Sequence, residues 1–337
     1  MCSQKEIMKT KNYTYGKAIL AAFEYLLENY QEVFIIGQGL WSPWYVGETM
    51  TGLDKKFAIE RIIDTPVSES ASTGAAVGAS LAGMKPIVVH PRMDFMLYAM
   101  DAMVNQAANW SHMFGGQAHS NVTIRSIINR GGEQGAQHSQ ALHAWFAHVP
   151  GLRVVMPSTV ADARDLLIAS VLCNDPVMYI DDRWLYDQED NLPPIVEIDL
   201  TTQRPIVSLI GDDITIVASG HASLLARDAA QLLKNQKVSA EVVDIRVLNP
   251  LHTEEIIKSV KKTKNLLVVD SGWTSGGFSA EIIAKVTEQL PVNCLNNPPV
   301  RIALPDAPAP SSKVLEMAYY TSTDDLIEAT KKILKKL

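Results

Sequence analysis

The chain has 337 residues, 47% of them hydrophobic and 20% charged, with a formal net charge of −7. That length supports one large or two medium cores, and an acidic balance with no basic stripe excludes binding through nucleic-acid phosphates. Cys2, Cys173 and Cys294 are widely spaced, with no CxxC pair, and support neither a disulfide framework nor a zinc site. No uncharged apolar run approaches the roughly 20 residues of a bilayer span, and the start MCSQKEIMKTK lacks a signal-peptide core, so a cytoplasmic protein with no membrane or nucleic-acid partner is expected.

Along the chain, VFIIG at 33, PIVVH at 86, VTIRSII at 122, LRVVM at 152 and PVMYI at 176 are short β-rich apolar runs of the kind buried in parallel sheets. Helical patterns fall between them, at roughly 14–30, 69–83, 98–112 and 159–173. The polar, proline-containing stretch EDNLPPIVEIDLTTQRP reads as a crossing between domains. Beyond it ITIVA at 214, SAEVVDI at 239 and NLLVVD at 265 begin a second alternation. The expected fold class is α/β in two tandem domains, a doubly wound parallel sheet over 12–190 and a smaller α/β domain over 206–337.

Three stretches hold candidate chemistry. DTPVSESASTGAAVGASLAG places one acid, Glu69, at a helix start, with Gly74, Gly78 and Gly83 clearing one side of that helix for a close neighbour. Glu69 is either a first-turn residue facing water or a carboxyl whose surroundings raise its pKa. The glycine-rich loop GGEQGAQHSQ delivers His138, and its companions His143 and His148 follow at five-residue steps. On a helix such residues stand about 140° apart and do not converge on a metal. Ser139 has no GxSxG elbow around it and is no nucleophile. DSGWTSGGFSAEI reads as strand, tight turn and helix, with backbone amides able to seat an anion, though close strand-to-helix packing accounts for the glycines as well.

Taken together, RIIDTPVSE with GAAVGASLAG, DAMVNQAANW, GAQHSQALHAWFAHVPGLRVVMPST and DIRVLNPLHTEEIIKSVKKT with GGFSAEI resemble the β subunit of the thiamine-diphosphate-dependent 2-oxo acid dehydrogenases of the pyruvate and branched-chain type, within the transketolase-like superfamily. The resemblance implies a pyrimidine-binding domain followed by a transketolase C-terminal-type domain. It implies that Glu69 bonds the aminopyrimidine nitrogen of thiamine diphosphate and promotes the imino tautomer that deprotonates the thiazolium. It places Val67 and Phe95 against the pyrimidine and His138 on the substrate side. Val67, Ala71 and close-packed glycine faces are then expected to wall Glu69 from water and raise its pKa.

The GDG motif and downstream asparagine that bind Mg²⁺ and the diphosphate are missing, so the resemblance implies a separate α subunit holding the Mg²⁺, and an α₂β₂ heterotetramer. The metal-ligand set expected of this chain is none. Decarboxylation of a 2-oxo acid with acyl transfer to a lipoyl carrier, borne by a lipoyl acyltransferase partner, is the implied reaction. Half of a split transketolase-like or acyloin-type carboligase, passing the carbanion to an aldehyde, is the alternative. VVHPRMDFMLYAMD, GQGL in place of GEDV, and Cys173 at a position where an acid helps hold potassium in some members depart from the family pattern.

Overall fold

A computed structural model describes residues 12–335. Cys2 and the leader reading lie outside the described residues. The strands in chain order are β1 (Asn12–Thr14), β2 (Val33–Gly37), β3 (Ile62–Asp64), β4 (Lys85–His90), β5 (Thr123–Ile128), β6 (Arg153–Val155), β7 (Val177–Asp182), β8 (Glu189–Asn191), β9 (Ile206–Leu209), β10 (Ile214–Ala218), β11 (Ala240–Asp244), β12 (Val247–Asn249), β13 (Leu266–Trp273) and β14 (Val300–Leu304). They form a seven-stranded sheet ordered β12-β6-β7-β5-β4-β2-β3, a five-stranded sheet ordered β14-β13-β10-β11-β9, and the pair β1-β8. Both larger sheets are parallel apart from one antiparallel edge strand each, β12 in the first and β9 in the second.

The parallel strands are buried on both faces, which is why they read as largely apolar runs; of the charges they do carry, Arg125 of β5 is paired with Asp181 of β7. Helix Tyr15–Asn29 covers one face of the first sheet with Tyr15, Ala18, Ile19, Ala22, Phe23, Leu26 and Leu27, the i, i+3, i+4 pattern, and Thr14 caps it by accepting from the Lys17 amide. Helix Glu69–Leu81 lies over the other face, where Ala76 and Val77 join a cluster that also contains Val217, Val243, Val268 and Phe278 of the second half. The two sheets therefore share one apolar cluster between them. A separate cluster, under helices His221–Lys234 and Thr323–Leu334, closes the far side of the second sheet.

Two features differ from the sequence expectation. The stretch read as one helix over 98–112 is a 3-10 turn (Phe95–Ala99), a π-helix (Asp101–Ala107) and a short α-helix (Ala108–Met113). A widened turn keeps nearly the same apolar spacing as an α-helix, so periodicity does not reveal it. The other is β12, which lies in the range read as the second domain yet pairs with β6 of the first sheet, Val247 opposite Val155. At three residues it is too short to carry a pattern of its own.

Candidate active site

In the first sheet the chain moves from β2 outward to β3 and then returns to the opposite side of β2 with β4. Such a reversal opens a crevice beyond the carboxyl ends of the strands. The residues to which the resemblance assigns site roles emerge at that edge: Val67 and Glu69 after β3, Phe95 after β4, and His138 after β5.

Glu69 is the first residue of helix Glu69–Leu81 and is only 9% exposed. The reading in which it caps the helix and faces water does not hold. Its carboxylate receives no hydrogen bond or ion pair from the described residues, and Ser68 at the cap position makes no side-chain bond. One turn on, Thr73 Oγ1 lies 3.2 Å from His90 Nε2, both buried; burial lowers the His90 pKa to about 4, so this ring is neutral and ties the helix to the end of β4.

The expected walls around Glu69 need correction. Val67 is 75% exposed and Ala71 is exposed too. A Cβ placed on Gly74, Gly78 or Gly83 would meet nothing within 4 Å, so none of the described residues packs against that stripe. A short loop and one helix face carry these residues, and neither has enough neighbours within one chain to enclose them.

Helix Glu69–Leu81 packs on the turn Phe95–Ala99, and Phe95 meets His138 edge to face with ring centroids 5.3 Å apart. Two of the residues singled out from sequence are thus in direct contact. His138 ends a short 3-10 turn, Ala136–His138, which follows left-handed backbone at Gly131, Gly132, Glu133 and Gly135. The glycines supply a conformation that side chains disfavour, and Glu133 adopts it despite its side chain.

A further residue was not singled out from sequence. Asp94 is 7% exposed, and its Oδ1 accepts from both the backbone N–H (3.1 Å) and the side-chain amide (3.0 Å) of Gln140, joining the Phe95 turn to the exit of the histidine loop. Burial pushes the Asp94 carboxyl upward against the lowering effect of the two Gln140 bonds. Asp94, Phe95, Leu97, Tyr98, Gln137 and Gln140 line a pocket of about 490 Å³ beside this contact. An acid inside the apolar run MDFMLY was the available signal.

The other histidines serve elsewhere. His143 Nε2 lies 2.8 Å from Asp270 Oδ1, both buried. Asp270 also accepts from the amides of Gly272 (2.9 Å) and Ser279 (2.8 Å), so the amides read as a possible anion seat already hold the chain's own carboxylate. Burial alone would raise the Asp270 pKa, but the charge and hydrogen bond of His143 and the two amides outweigh it and hold it at about 2. Gly277 admits no other residue, because a Cβ there would fall 2.2 Å from the Trp273 carbonyl oxygen. Among the described residues no three His, Cys, Asp or Glu side chains converge as a metal site, and no helix is long and apolar enough to cross a membrane.

Comparison with known proteins agrees with this layout. Residues 11–188 match the pyrimidine-binding domain of transketolase and residues 205–326 its C-terminal domain. The mitochondrial pyruvate dehydrogenase E1 component subunit β of Saccharomyces cerevisiae is 36% identical over 96% of this chain and 90% of its own length, and that of Homo sapiens 33% over 95% and 90%. The corresponding subunit of Rickettsia felis is 35% identical over 90% of this chain and 92% of its own. A solved split-gene transketolase, described as an inactive β₄ tetramer, superposes with a TM-score of 0.73 at 22% identity, over 95% of this chain and 96% of that one, a likeness of fold. The dehydrogenase relatives stand well above this in identity and favour that reading over the carboligase alternative. The chain belongs to the family of β subunits of the thiamine-diphosphate-dependent 2-oxo acid dehydrogenases.

Proposed function

We propose that this chain forms the pyrimidine-side half of the active site of an E1 enzyme that decarboxylates a 2-oxo acid and passes the acyl group to a lipoyl carrier, and that it works in the cytoplasm as an α₂β₂ assembly. The observation that carries the reading is Glu69, a carboxyl 9% exposed with no partner in the described residues, at the strand edge that also presents Phe95 and His138. An acid of low exposure left without a partner at the edge of a crevice is open to a ligand's polar group. The residues present fit half of thiamine diphosphate: an acid for a ring nitrogen and apolar contacts from Phe95 and Val67. No convergent set for Mg²⁺ is found among the described residues. An α subunit that supplies the metal and diphosphate sites would also cover Val67, Ala71 and the open face at Gly74 and Gly78.

When bound, thiamine diphosphate supplies a nucleophilic carbon and an electron sink for loss of carbon dioxide. Glu69 would hold a proton at the pyrimidine nitrogen in this arrangement, with the covering α subunit excluding water from that bond. Phe95 would offer its ring to the pyrimidine, and its edge contact sets the attitude of His138. His138 bonds the substrate or moves a proton on the substrate side. Titration calorimetry tests the division of the site. The isolated chain should bind thiamine diphosphate weakly with or without Mg²⁺, and the chain purified with its α partner tightly. Tight, Mg²⁺-dependent binding by the chain alone would falsify the split site.

A further inference from the structure

The loop that presents His138 has little structure of its own. Gly131, Gly132, Glu133 and Gly135 are all left-handed; a turn at Gly132–Glu133 closes on the loop itself, and the Glu133 N–H is what bonds the segment Gly131–Gln134 to the rest of the described residues. That partner lies 183 residues away: Glu316 Oε2 accepts from it at 3.0 Å. Glu316 is 6% exposed, on the short helix Lys313–Tyr319, whose Val314, Leu315 and Met317 point outward at 76%, 60% and 75% exposure. The carboxylate is therefore the inward-facing member of its helix and faces the loop.

Neighbouring contacts bring more of the loop to the same C-terminal stretch. Tyr320 meets Trp184 edge to face at 4.9 Å, and a Cβ on Gly131 would fall 2.9 Å from the Trp184 indole nitrogen. The Arg130 guanidinium lies over both rings, 4.8 Å from Trp184 and 5.9 Å from Tyr320. A Cβ on Gly135 would lie 3.4 Å from the Ser311 Cβ. Entry, apex and middle of the loop are thus set against residues 311–320 and the tryptophan that Tyr320 supports. An unusual backbone conformation persists only where its surroundings over-determine it.

We propose that Glu316 is a positioning residue for His138. By holding the Glu133 amide it fixes the left-handed run that sets the imidazole against Phe95, so that the second half of the chain controls the substrate side of a site whose named residues all lie in the first. The inference rests on the reading of His138 given above.

The test uses the chain assembled with its α partner and compares Glu316→Ala, Glu316→Gln and His138→Ala for turnover, thiamine diphosphate affinity, melting temperature and amide hydrogen exchange over residues 131–139. Displacing a reacting group by about 1 Å costs roughly 10²-fold, so Glu316→Ala should lower kcat about 10- to 100-fold and speed exchange in the loop, with cofactor affinity retained. Glu316→Gln keeps a carbonyl to accept from Glu133 and should recover most of the turnover. Near-native kcat and loop exchange in Glu316→Ala overturn the inference, and so does faster exchange spread through the whole chain. If Glu316→Ala does not assemble, Glu316→Asp, which draws the acceptor back by one methylene, decides by the same two readouts. A loss of turnover in His138→Ala with none in the folded Glu316 variant removes only the positioning role. Unchanged turnover in His138→Ala removes the reading of His138, and the inference with it.

Discussion

Glu69 and Asp270 are both acids of low exposure, 9% and 6%, one in each half of the chain: Glu69 opens a helix and Asp270 lies within β13. Asp270 receives two backbone amides and the His143 ring, whereas Glu69 receives nothing from the described residues. A buried charge with a full set of partners is held by the fold that surrounds it. Its removal leaves those partners unpaired, and the cost appears in stability. A buried acid with none contributes little to holding the chain together and is available to a group that the chain does not contain. If Glu69 has the proposed role, the contrast separates a structural acid from a working one more sharply than exposure alone, which is nearly equal for the two.

The largest expected effect comes from Glu69→Gln, which keeps the shape and removes the exchangeable acid. Turnover of the assembled enzyme should fall about 10³- to 10⁴-fold while the melting temperature stays within a few degrees of the wild type. Retained turnover would return Glu69 to a surface role and erase the contrast. Asp270→Ala should do the reverse. Breaking a buried pair by removing one partner costs about 3–5 kcal/mol, so chemical denaturation should show a loss of that order, with the junction between the two halves weakened first. A variant as stable as the wild type would mean that the three bonds to Asp270 add nothing to the fold.

His138→Ala is expected to lower single-turnover decarboxylation or the later acyl transfer by about 10²-fold, with unchanged cofactor affinity and melting temperature. Measuring the two half-reactions separately shows which one the ring serves; normal rates in both would withdraw its role. The smallest effect is in the pH dependence of stability. The Asp270 pKa is held at about 2 in the folded chain against 3.8 for the free group, so between these values the unfolded chain binds more protons. The stabilisation, about 2 kcal/mol, is present above about pH 4 and is lost as pH falls through about 2. Asp270→Asn should abolish this part of the acid sensitivity, and an identical acid limb in that variant would assign it to other carboxylates.

Much of the fold was legible because parallel strands buried on both faces are predominantly apolar. VFIIG, PIVVH and VTIRSII are strands for that reason, as are the three apolar runs that begin the second half. Ile62–Asp64 and Val247–Asn249 were not legible, being three-residue strands defined by the neighbours they pair with. At the candidate site, the family motifs pointed to Glu69, Phe95 and His138, of which Phe95 and His138 are in contact, while the residues themselves left Glu69 open between cap and catalyst. The outward attitude of Val67 and the empty space beside Gly74 and Gly78 ran against the expected walls, since a small-residue stripe says that something packs closely without saying that it lies in the same chain.

By itself the sequence determined the alternation of strands and helices, the family, and the acid and histidine that the family motifs carry. These depend on local apolar contrast and on short stretches whose order is preserved. Only the tertiary structure decided which polar groups find each other: His143 with Asp270 across 127 residues, Glu133 with Glu316 across 183, and Glu69 with no partner among the described residues. Hydrogen bonding acts over about 3 Å whatever the distance along the chain, so the difference between a satisfied carboxylate and an open one is absent from any window of sequence and exists only once the two halves are packed together.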